Sequence, residues 1–104
     1  MNIIRNTQKV KCIYMHPKAE CKCVLGKDWY HIDFDVIFKP SDYYPDYTEV
    51  ENFIMKNIDG HDLNIEDAIQ ILYDMLSETF EPNDLTVTAK IKNSKTHFDV
   101  EVEI

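Results

Sequence analysis

Two thiols and a carboxylate lie close together in the segment from Ala19 to Asp28. Cys21 and Cys23 are separated by Lys22, and Asp28 follows Cys21 by seven residues. A thiolate is a strong nucleophile when a neighbouring acid or base manages its proton, so Cys21 with Asp28 is a candidate catalytic pair. Lys22 and Lys27 would favour the charged form of the sulfur. Cys23 competes for the same role, because a strand would place it on the same side as Cys21. A structural role is also open, since free cysteines often serve as small buried hydrophobes. Cys21, Cys23, His16 and His31 lack the spacing of a zinc site, and no metal is expected. Glu66, at the second position of a predicted helix, suits either the helix dipole or a pair of donors on a ligand.

These groups must be held by elements that the sequence pattern outlines. Lys9 to Met15 alternates Val10, Cys12 and Tyr14 against Lys9, Lys11 and Ile13, as a half-buried strand does, until His16 and Pro17 break it. Residues 19–28 read as a connector with a turn at Gly26. From Trp29 to Phe38 a clearer strand turns Tyr30, Ile32, Phe34, Val36 and Phe38 to one side and His31, Asp33 and Asp35 to the other. Turn residues fill Pro40 to Pro45. Asp46, three before Glu49, then starts a helix with Tyr47, Val50, Ile54 and Ile58 on its buried face and Gly60 as its stop. Asn64 caps a second helix, whose stripe of Ile65, Ala68, Ile69, Leu72, Met75, Leu76 and Phe80 runs to Pro82. Leu85 to Ile91 and His97 to Ile104 alternate again and form a hairpin around residues 92–95.

The pattern is α+β: a ββααββ order giving an antiparallel four-stranded sheet with two helices on one face. With 104 residues, 44% of them hydrophobic, residues 1–104 are expected to make one domain. Three cysteines, an odd number without a charged-then-apolar leader, point to reduced thiols in the cytoplasm, and no apolar run is long enough to span a bilayer. The net charge of −8 is unevenly spread: residues 1–39 hold seven of the eleven Lys and Arg but only four of the nineteen Asp and Glu. An acidic body argues against extensive nucleic-acid contact, while a basic stripe can still hold phosphates.

The ββααββ order with an acid at the start of the second helix resembles the tunnelling-fold superfamily of pterin and purine enzymes, most of all the QueF group. That family carries its nucleophile in C-P-x-T-G-x-P-D, and Cys21 to Asp28 keeps the same separation, with Gly26 displaced by one place. A family segment N-H-G-x-F-H-E-D opens the second helix, and His61, Glu66 and Asp67 match its first His and its Glu-Asp, while Ile65 replaces its second His. The nicotinamide-binding motif E-S/L-K-S/A-L-K is absent, because the corresponding stretch reads Tyr47 to Phe53.

The resemblance therefore points to the short QueF-like amidinotransferases. It implies a homo-oligomeric ring closing a barrel and a covalent thioimide formed by Cys21 on the nitrile of 7-cyano-7-deazaguanine. Asp28 would supply the proton, Glu66 and His61 would bind the heterocycle, and ammonia would yield the amidine of archaeosine. The substrate is a free 7-deazaguanine or one carried on transfer RNA. No cofactor is implied, unless the protein is instead an NADPH-dependent 7-cyano-7-deazaguanine reductase of queuosine synthesis. A further alternative is a purine- or pterin-binding ring protein without catalysis.

Overall fold

The computed structural model describes residues 2–26, 28–93 and 98–104. In chain order the elements are β1 (Ile3–Arg5), β2 (Ile13–Met15), β3 (Lys18–Lys22), β4 (Trp29–Lys39), β5 (Tyr43–Pro45), α1 (Tyr47–Asn57), α2 (Ile65–Phe80), β6 (Asp84–Asn93) and β7 (Phe98–Glu103). The main sheet is antiparallel throughout. β2 and β3 share one edge of β4, followed by β6 and then β7 at the opposite edge.

Strand β4 carries out its two-residue period as expected. Ile32, Phe34, Val36 and Phe38 are buried beneath the helices with Val87 and Ala89 of β6. The seven apolar residues of the α2 stripe are all buried against that layer, and Phe80 meets Phe38 edge to face with ring centroids 6.1 Å apart. Helix α1 contributes Val50, Ile54 and the cap residue Ile58. Asp46 caps it through its carboxylate, which accepts from Thr48 N–H at 3.0 Å. Tyr47, expected on the buried face, is 54% exposed, since a first-turn residue overhangs the end of the layer. Gly60 lies beyond the helix, at φ 78, and its N–H reaches the Glu20 carbonyl at 2.7 Å. A positive φ is easy for glycine, and here it turns the chain toward β3.

Three short elements depart from the sequence reading. The strand expected over Lys9 to Met15 is β2 and begins only at Ile13, because the Asn6 side chain grips both the N–H and the carbonyl of Val10 and Lys9 takes a positive φ of 56. In that strand Ile13 is the buried residue and Tyr14 points out. The break at His16 and Pro17 is local: Pro17 still accepts from Phe34 N–H at 2.9 Å, and the chain resumes as β3 along the same edge. Residues 19–22, expected in a connector, are therefore strand together with Lys18, and Ala19 and Cys21 are buried. The Pro40 to Pro45 turn includes β5, which pairs with β1 in a separate two-stranded ribbon. The expected hairpin turn at residues 94–95 and His97 lie outside the described residues.

The face of the sheet away from the helices is largely polar and carries His31, Asp33, Asp35, Thr86, Thr88, Asp99, Glu101 and Glu103. Lys90 Nζ and His16 Nδ1 each lie 2.7 Å from Asp35, and His31 Nε2 lies 2.9 Å from Asp33. No helix among the described residues is long and apolar enough to cross a membrane.

Candidate functional site

The sheet loses its helical cover near the start of α2, and a cleft of about 530 Å³ opens there. Cys23, Asp28, Tyr30 and Glu66 supply its polar groups, and Leu25, Trp29, Ile65, Ile91, Phe98 and Val100 supply apolar wall. A flat heterocycle needs this combination of apolar faces with a few convergent polar groups. A larger hollow of about 750 Å³ runs between the β2–β3 edge and α1. It holds His16, Lys18, Glu51 and Asp59 but no thiol, so the smaller cleft is the better chemical candidate.

Each polar group of the cleft has a local reason for its place. β3 ends at Lys22, and Cys23 is the first residue past the ladder. Its backbone N–H donates to the Asp28 carbonyl at 2.9 Å, closing the loop that returns to β4. The Gly26 N–H donates to Cys23 Sγ at 3.5 Å, putting a backbone dipole against the sulfur. Glu66 stands exposed in the first turn of α2, where helix N–H groups lack intrahelical partners.

Cys21 is placed differently from the sequence expectation. It is 0% exposed, and its thiol donates to the Ile58 carbonyl at 3.3 Å. Burial, and secondarily the Asp59 carboxylate, push the thiol up to about 11. The expected lowering by lysines is thus reversed: Lys22 belongs to the outward side of the strand, Lys27 lies outside the described residues, and desolvation of the charged form dominates. Asp28 and Glu66 do line the cleft, and Cys23 lines it with them.

His61 does not join them. Its Nε2 donates to the Lys56 carbonyl at 2.8 Å, occupying one of the acceptors left over at the end of α1. Among the described residues no three His, Cys, Asp or Glu side chains are grouped to hold a metal.

Tyr30 is the site residue that the sequence reading assigned to the core. Its ring borders the cleft and its hydroxyl donates to the Leu63 carbonyl. Burial raises its pKa, assisted by Cys21, Cys23, Glu66 and Asp67 nearby. The only signal in sequence is that a side chain with a polar tip ends an otherwise apolar stripe.

No family model matches the chain, and no curated protein matches it in sequence. Among solved structures it is similar to the archaeosine synthase QueF-Like in its apo form, at 17% identity. The superposition covers 91% of this chain and 92% of that one, with a TM-score of 0.82. The chain has the fold of the QueF-like proteins, two helices laid on an antiparallel sheet, as the order of its elements had suggested.

Proposed function

We propose that the protein is a nitrile-modifying enzyme of the QueF-like amidinotransferase kind, acting on the nitrile of a 7-cyano-7-deazaguanine. The observation that carries this reading is the gathering of Cys23, Asp28 and Glu66 around one apolar-walled cleft. Glu66 accepts hydrogen bonds from the ring N–H and exocyclic amine, a bidentate carboxylate contact. Cys23 is the nucleophile, in preference to the buried Cys21. Its sulfur bonds to the nitrile carbon as one C–N π bond opens, and the thiol proton passes through Asp28 to the nitrogen, leaving a thioimide. Ammonia then adds to that carbon, the C–S bond breaks, and the thiol regains a proton as the amidine leaves. No redox step is involved.

The experiment is intact mass after incubation with 7-cyano-7-deazaguanine. The expected adduct has the mass of the added nitrile, persists in Cys21→Ala and is absent in Cys23→Ala. Loss of the adduct in Cys21→Ala alone returns the role to Cys21; no adduct on the wild type removes covalent catalysis and leaves a binding protein. Oxidation of added NADPH would instead mark the reductase. Comparing the free base with transfer RNA carrying it identifies the substrate form.

Assembly into a ring belongs to the same reading. The outer edges of the sheet, β3 and β7, run in opposite directions, so β7 of one copy can pair antiparallel with β3 of the next while the helices stay on one side. Charge favours that contact on balance: β3 carries Lys18 and Lys22 against one acid, Glu20, and β7 carries Asp99, Glu101 and Glu103. Light scattering should give a multiple of the 12.3 kDa chain mass; a monomer at micromolar concentration contradicts the ring. The three cysteines are free thiols, which fits work in the reducing cytoplasm.

A further inference from the structure

The carboxylate and the sulfur of the cleft come from different elements, and their spacing depends on how the start of α2 is fastened to the sheet. Asn64 occupies the cap position, yet its side chain makes no capping bond. The first turn of α2 therefore lacks the side-chain restraint that usually holds a helix start. Its placement falls to the preceding loop. On one side β3 holds that loop by backbone bonds, Lys22 N–H to the His61 carbonyl at 3.0 Å and Leu63 N–H to the Lys22 carbonyl at 3.1 Å. On the other side the bond is a side chain's: the Tyr30 hydroxyl, from β4, donates to the Leu63 carbonyl. Tyr30 stands opposite Cys21 in the strand register, and its ring lines the cleft beside Cys23, Asp28 and Glu66.

We propose that Tyr30 is a positioning residue, whose hydroxyl bond to Leu63 sets where the Glu66 carboxylate stands relative to Cys23 and Asp28. This rests on the reading of the cleft as the heterocycle site. Because the hydroxyl is engaged with a carbonyl, the residue acts through the loop and takes no part in proton transfer. Burial and the surrounding thiols and carboxylates disfavour its ionisation, so it stays a donor where a thiolate forms.

Tyr30→Phe keeps the ring and removes the tether. The backbone bonds to Lys22 remain, so the fold should persist, with a melting temperature lowered by no more than a few degrees, about the effect of one hydrogen bond. Amide hydrogen exchange at Leu63 and Ala68, whose N–H groups bond to the Lys22 and Asn64 carbonyls, should quicken by about tenfold, reflecting the freed helix start. Affinity for 7-cyano-7-deazaguanine should fall by about tenfold, and adduct formation at saturating nitrile should slow comparably, because anchor and nucleophile no longer share a fixed spacing. A merely structural role would lower the active fraction while the folded protein kept its affinity and rate. Wild-type binding with equal binding, rate and exchange in Tyr30→Phe overturns the proposal and leaves the reading of the cleft intact. If the wild type takes up no deazaguanine, faster exchange at Leu63 and Ala68 in the variant still supports the tether while the cleft reading falls; unchanged exchange overturns the tether as well.

Discussion

Strands β4 and β6 carry two regions of opposite character on one face. At mid-strand, Phe34, Val36, Val87 and Ala89 are shut beneath the helices. A few residues away Tyr30 and Ile91 are half-buried, and Phe98 of the neighbouring β7 stands in the open at 67% exposure. The strands are equally apolar in both places, so composition does not make the difference. Cover does: α2 begins over this end of the sheet, and beyond its first turn no helix among the described residues lies on the strands. The helix start that leaves the sheet bare also brings Glu66 to its border.

The largest test of that contrast is truncation of an aromatic in each region. Phe34→Ala should cost about 3–5 kcal/mol of unfolding free energy, lost transfer energy plus a cavity that the packed layer cannot close. Phe98→Ala should cost under about 1 kcal/mol in urea or thermal unfolding, since little of its surface is removed from water. Equal losses would mean that the open end is covered by something the isolated chain lacks, and the ring would be the first suspect.

The thiols mark the boundary between the regions at closer range. Native labelling with iodoacetamide followed by peptide mapping should modify Cys23 faster than Cys21 by on the order of a hundredfold, as accessibility and thiolate character dictate. Unfolding in urea should abolish the difference. If Cys21 labels as fast as Cys23 in the native protein, the core opens around it and the assignment of the nucleophile to Cys23 loses its basis.

How much of this could be read beforehand depends on the length of each pattern. The α2 stripe and the alternation of β4 repeat often enough for their buried faces to be evident. β1, β2 and β5 have three residues each, too few for a period to show. β3 was hidden by Pro17, which breaks the local pattern without leaving the edge of β4, where its carbonyl continues the bonding. Asp28 and Glu66 were legible through their distance from a cysteine and from a helix start. The choice between Cys21 and Cys23 was not, because a two-residue period puts both on one face and only the extent of the helical layer separates them. Tyr30 and His61 were misplaced for a related reason: the end of each side chain is committed to a backbone carbonyl that no local pattern reveals.

A smaller test of the same boundary is alkaline stability. The folded Cys21 thiol is raised to about 11, against about 8.5 in an unfolded chain. Between those values the unfolded state has released a proton that the folded state retains, so stability falls as pH rises. The contribution is whole below about pH 8.5 and should be lost toward pH 11, by up to about 3 kcal/mol. Other groups titrate in this window, so the measurement is the difference in unfolding free energy between wild type and Cys21→Ala from pH 8 to 11. A constant difference would place the thiol in water.

The least effect is expected on the reverse side of the sealed region. There Lys90 first, and then His16, hold the Asp35 carboxyl below its ordinary range. A depressed carboxyl contributes stability that is present above the unfolded pKa, near 3.9, and lost as pH falls through the lower folded value. That loss should be slight, since Asp35 is solvent-accessible at 38% and its partners bond from an open face. Asp35→Asn should therefore cost less than about 1 kcal/mol at neutral pH, with the gap to wild type narrowing below pH 4 and in high salt. Behind the same strand Phe34→Ala is expected to cost several times more. If the two losses were comparable, the polar face would be enclosed in the working assembly, as the lumen of a closed barrel would be, because removal from water is what raises the worth of such an ion pair.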